Sequence, residues 1–121
     1  MRLPLILVFA AGLALPALSP AAAELAEERQ VHSMQCLLAM SAANGGAPDA
    51  TARDAAKIGM LFFAGQLSGL DPDLDLPAAA RAQLPVLTRE KLQALIPQCG
   101  AEMRQRQAQL AALGPALKRN P

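Results

Sequence analysis

Tryptophan and tyrosine are absent from this sequence, and phenylalanine occurs three times. Bases and sugars are bound largely on aromatic platforms, so that shortage speaks against nucleic-acid and glycan recognition. Histidine occurs once, as His32. Ser33, Ser41 and Ser68 therefore share one possible general base, no nucleophile elbow surrounds them, and paired carboxylates fall only in loops or on polar faces. The inventory points away from an enzyme. No C-x-x-C redox pair occurs, and no phosphate-binding glycine loop.

Charge excess is missing too. Met1-Arg2 is followed by an apolar run from Leu3 to Leu18 and by Ala21-Ala22-Ala23, the layout of a secretory signal peptide cut before Glu24. Pro4, Gly12 and Pro16 interrupt the run, whereas a membrane span wants roughly 20 clean apolar residues. No cysteine follows the cut, so no lipid or stable membrane anchor is expected. Cleavage leaves about 98 residues, one domain's worth. It also removes Arg2 from the eleven basic residues, leaving ten against ten acidic ones. A neutral chain exerts no general pull on phosphates. The expected location is the periplasm or the secreted fraction.

What the sequence does have is a pair of cysteines, Cys36 and Cys99. An even count in an oxidising compartment reads as one disulfide. It closes a loop of about 64 residues, for which the chain-entropy model gives about 4 kcal/mol.

Hydrophobic periodicity predicts an all-α domain of about four helices over residues 24–114, an orthogonal or up-down bundle, followed by a flexible tail over 115–121. Helix one runs from Glu24 to Ala43 with an apolar stripe of Val31, Met34, Leu37, Leu38 and Ser41, Cys36 on its flank, and Glu28, His32 and Gln35 on the wet side. Asn44-Gly45-Gly46, residues that tolerate left-handed dihedrals, end it.

Helix two, Thr51 to Gly69, looks like the element around which the chain is organised. Ala52, Ala55, Ala56, Ile58, Gly59, Met60, Phe62, Phe63 and Leu67 cover more than half its circumference. Thr51 and Asp49 compete for its cap. Gly59 lies within the apolar arc, where a glycine either marks the close approach of another backbone or is simply tolerated. Gln66 also falls on that arc, and a buried amide must find a hydrogen-bond partner, be it a neighbouring helix, a backbone carbonyl or a ligand.

A short helix three is expected from Pro77 to Leu84, capped by Asp75 or Leu76 and ended by Pro85. Thr88 caps helix four, which runs to Leu113 and stops at Gly114-Pro115. Its seam is Leu92, Leu95, Ile96, Cys99, Met103, Leu110 and Leu113. Pro97 lies opposite and either bends the helix or breaks it at Ile96. Arg106 intrudes on the seam, by snorkelling or because the helix outruns the core there.

Two metal-like patterns occur. Asp71, Asp73 and Asp75 open like a calcium loop, but position six is Leu76 rather than Gly and position twelve is Ala82 rather than Glu. A solvated acidic loop that could face a partner is the simpler reading. His32 and Cys36 stand four apart, a ligand spacing, yet a disulfide consumes Cys36 and one histidine is not a site. No metal or other cofactor is expected.

With its signal peptide, its size, Cys36 with Cys99, and Phe62-Phe63-Ala64-Gly65, the chain resembles small exported all-α proteins tied by one disulfide, the Hde-type acid-stress chaperones and periplasmic immunity proteins. The resemblance implies a non-enzymatic module whose partner is another envelope or secreted protein. Its alternative implication is an acid-activated holdase, whose helices separate when carboxylates are protonated.

Overall fold

Oxygen-bearing side chains set the starts of the four main helices in the computed structural model, which describes residues 19–119. Ser19 accepts from the Ala22 N–H at 3.3 Å to open α1, Pro20–Gly45. Asp49 accepts from Ala52 at 2.8 Å to open α2, Ala50–Leu70. Asp75 accepts from Ala78 at 2.9 Å to open α3, Leu76–Gln83, and Thr88 from Lys91 at 3.2 Å to open α4, Arg89–Ala111. Each bond satisfies a first-turn N–H that has no partner within its helix. Asp49, not Thr51, is therefore the cap of α2, which begins one residue earlier than expected. α1 starts at Pro20, so the Ala23–Glu24 bond lies within its first turns. The rest of the expected signal peptide, residues 1–18, lies outside the described residues.

The helix ends differ from expectation in physical detail. None of the described residues has a positive φ. α1 ends instead at Gly46 with φ −100°, whose N–H bonds to the Ala42 carbonyl, and Pro48 follows in the turn. α3 ends at Gln83, just ahead of Pro85 as expected, and Leu84–Val86 follow as a 3-10 turn that contains the proline. α4 continues through Pro97, which is exposed, so there is no break at Ile96. It stops at Ala111, ahead of Gly114-Pro115, and Leu113–Lys118 form a further short helix, α5. Proline is admissible there because a first-turn N–H is unbonded anyway.

The architecture is all-α, with one Cys36–Cys99 disulfide of S–S 2.05 Å and Cα separation 5.5 Å. Its hub is α1, not helix two. α1 packs along α2 and also touches α3 and α4, whereas α2 meets α4 only sparingly. α2 contributes a narrow buried stripe of Ala56, Gly59, Phe63 and Leu67. Ile58, on the expected apolar arc, is 50% exposed, and Leu61, outside that arc, is 75% exposed.

A helix contacted from several sides has no single apolar stripe, and α1 shows this. Its buried residues are Ser33, Met34, Cys36, Ala39 and Met40, with Cys36 at the centre of the packing rather than on the flank. Val31 and Ser41 are exposed. The core joins Cys36, Ala39, Met40, Phe63 and Cys99, with Leu92, Leu95 and Ile96 of α4 packed against it. Phe62 meets Phe63 edge to face, ring centroids 4.9 Å apart. The α4 seam is buried only at its centre: Leu110 and Leu113 are exposed, so beyond Met103 the helix outruns the core, and Arg106 stands where that begins.

Gly59 is buried because of a side chain and not a backbone. A Cβ there would lie 2.7 Å from Met40 Sδ and 2.8 Å from Met40 Cγ, with Met103 Sδ at 3.5 Å.

Candidate functional site

The disulfide fixes the register of α1 against α4 and thereby assembles a polar cluster beside itself. His32 is one turn before Cys36, and Glu102 nearly one turn after Cys99. Across antiparallel helices those two displacements run the same way, and same-face residues three and four apart are neighbours. Accordingly His32 Nε2 lies 2.7 Å from Glu102 Oε2 and 3.6 Å from Cys36 Sγ. The imidazole is about half exposed and the carboxylate less so, at 47% and 29%. Among the described residues this is the one ion-pair contact between helices; the other, Lys57 with Asp54, lies within α2.

On the α2 side, the Ser33 hydroxyl donates to Gln66 Oε1 at 3.0 Å. Ser33 is 3% exposed, so this bond removes the penalty of burying a hydroxyl. The expected partner of Gln66 is thus a neighbouring helix. Gln66 also lines an open cleft of about 420 Å³, together with His32, Ser33, Glu102, Arg29 and Arg106 and with Gly69 and Leu70 at the end of α2. Two arginines and a glutamine line the cleft together with a carboxylate already engaged by His32, and one of those arginines, Arg106, donates from Nη1 to Gln109 Oε1 at 3.0 Å. Ser33, although next to His32 in sequence, directs its hydroxyl to Gln66.

The other singled-out residues lie elsewhere. Asp71 accepts from the Asp73 N–H at 3.1 Å, and Asp75 caps α3, so two of the three acidic side chains shape the turn between α2 and α3. Gly59 faces Met40, away from the cleft. Sequence reasoning missed Ser33 and Glu102 as members of the cluster, and it placed His32 on a purely solvated face. The donor atoms of His32, Cys36 and Glu102 all lie within 4.8 Å of one another.

A second surface is apolar. Ile58 and Leu61 project from the outer face of α2, and Leu110, Leu113 and Leu117 from the end of α4 and from α5. No helix among the described residues is long and apolar enough to cross a membrane.

Against known proteins the chain gives no match to a family model, to a curated protein or to a solved structure.

Proposed function

We propose that this protein is an exported, non-enzymatic helical binding module of the periplasm or secreted fraction, whose partner is another envelope or secreted protein. The observation that carries the reading is the outer face of α2. Ile58 and Leu61 stand one turn apart and largely in water, while the core has only two large aliphatic or aromatic side chains fully buried, Phe63 and Leu67. Apolar surface left outside so small a core is surface that a partner can cover. The acidic turn at Asp71, Asp73 and Asp75 adjoins the C-terminal end of the same helix and supplies a polar rim.

Introducing charge on that face tests the reading. Ile58→Glu with Leu61→Glu alters exposed positions, so the fold is retained and circular dichroism is unchanged. Quantitative affinity capture from the cell envelope is expected to return a defined partner with the wild type and to lose it with the double variant. Identical capture profiles would overturn the reading. Export is tested separately by the N-terminus of the protein isolated from the envelope: Glu24 is expected, and an uncut chain retained in the cytoplasm refutes it.

The holdase alternative draws on a different observation. Asp49 and Asp75 open their helices as carboxylates, and Glu102 links α4 to α1 through His32. These are the acidic contacts that would have to give way for the helices to separate. An acid titration with a hydrophobic dye separates the readings: dye binding with loss of tertiary structure at low pH supports the holdase, and a flat profile removes it.

A further inference from the structure

We infer that reduction of the disulfide turns the cluster beside it into a four-ligand site for Zn2+, made by the Cys36 and Cys99 thiolates, His32 Nε2 and a Glu102 carboxylate oxygen. The inference is independent of the protein-binding reading.

The geometry favours it. Tetrahedral zinc with Zn–S near 2.3 Å and Zn–N near 2.05 Å requires sulfur and nitrogen about 3.5 Å apart. His32 Nε2 and Cys36 Sγ are 3.6 Å apart. Nitrogen and oxygen on one zinc stand about 3.4 Å apart, so the 2.7 Å contact of His32 with Glu102 has to open by about 0.7 Å, which a partly exposed glutamate allows. Two sulfurs on one zinc stand about 3.8 Å apart. Breaking the bond frees both sulfurs to rotate about Cα–Cβ toward that spacing, on α-carbons that are 5.5 Å apart. His32 Nε2, Cys36 Sγ and a Glu102 oxygen already lie within 4.8 Å of one another, and Cys99, held beside Cys36 across the α1–α4 contact, supplies the fourth donor.

The surroundings fit as well. Both cysteines are fully buried, so thiolate chemistry is shielded, while His32 and Glu102 line the open cleft and give an ion its way in. Two thiolates and a carboxylate around a divalent ion leave one net negative charge. Arg29 and Arg106 line the same cleft and offset it. Two sulfur donors select zinc over calcium or magnesium.

The chemistry balances. A dithiol reductant supplies two electrons and two protons, the Cys36–Cys99 bond breaks to two thiols, and the reductant leaves as its own disulfide. Zn2+ then displaces both thiol protons to solvent. The oxidised and metal-bound forms exclude one another.

Titration of the purified protein with Zn2+ against a competing chromophoric chelator, with and without a phosphine reductant, tests this. One equivalent is expected to bind after reduction and none at the same concentrations before it. Co2+ in place of Zn2+ should give tetrahedral ligand-field bands with charge transfer from two thiolates. His32→Ala should weaken binding by more than about tenfold, the lower end of what losing even a second-shell partner costs, and Glu102→Gln should weaken it as well. Should reduction alone loosen the helices, Zn2+ restores helicity in the wild type and not in His32→Ala. Equal affinity of His32→Ala and wild type, an octahedral cobalt spectrum, or no uptake by the reduced chain would each overturn the inference.

Discussion

Gly59 offers the sharpest test of how α2 seats on α1. In the interior of an exposed helix, replacing glycine by alanine stabilises by up to about 1 kcal/mol. Here the added methyl would lie 2.7 Å from Met40 Sδ and 2.8 Å from its Cγ. Ordinary contact begins at 3.4 Å, so the thioether has to retreat by about 0.7 Å. Met40 is 4% exposed and belongs to the core cluster with Phe63 and the disulfide, so the displaced atoms are mid-chain atoms in a packed interior. Overpacking of that kind costs about 1–3 kcal/mol. The two effects combine to a destabilisation of up to about 2 kcal/mol for Gly59→Ala.

A double-mutant cycle isolates the cause. Met40→Ala alone is expected to cost about 2–5 kcal/mol by leaving a cavity. In that background the clash is gone, and Gly59→Ala should stabilise by about 1 kcal/mol, the bare propensity gain. Urea denaturation followed by far-ultraviolet circular dichroism reads all four species, with an unchanged slope showing that the denatured state is not what moved. Additivity within about 0.5 kcal/mol, or stabilisation by Gly59→Ala in the wild type, would refute the claim that Met40 reserves the glycine's place.

Further outcomes follow from single contacts. Asp49→Ala removes the α2 cap and should cost about 1 kcal/mol by thermal or urea unfolding, whereas Thr51→Ala should fall within about 0.5 kcal/mol of wild type. Ser33→Ala leaves Gln66 Oε1 to water at the cleft and should cost about 1 kcal/mol, with Gln66→Leu in the same chain recovering part of it; a larger loss in the double variant contradicts the pairing. Removing the Cys36–Cys99 bridge by paired serine substitution should lower unfolding free energy by about 4 kcal/mol in metal-free buffer, and an effect under about 1 kcal/mol would show that the denatured chain is already compact.

The parts of this fold legible in the sequence are those whose physics is local. Thr88 and Asp75 announce helix starts because a cap bonds within its own turn, and Asp49 competes with Thr51 for the same reason. The disulfide needed only the count of cysteines and the expectation of export. The hub was not legible. Small residues such as Ser33, Cys36 and Ala39 are buried where helices approach most closely, yet a hydrophobic pattern ranks them below Val31 and Leu38, which lie further out. The width of the α2 apolar arc suggests a central helix, but width measures only what could be buried, and Ile58 within it stays half in water.

The site shows where the boundary between legible and hidden falls. The need of Gln66 for a partner follows from its place on an apolar face, but the choice of Ser33 depends on how α1 and α2 are rotated, which no periodicity states. The His32–Glu102 contact is different, because its register was already available. A disulfide between antiparallel helices sets one residue pair, and the turn before Cys36 must then face the turn after Cys99. The bridge and the helical repeat place an imidazole and a carboxylate together beside two sulfurs once α1 and α4 run antiparallel, and that direction is what periodicity leaves open between an orthogonal and an up-down bundle. The histidine spacing that seemed spent on a disulfide becomes half of a four-donor set once that bridge is treated as a ruler as well as a staple.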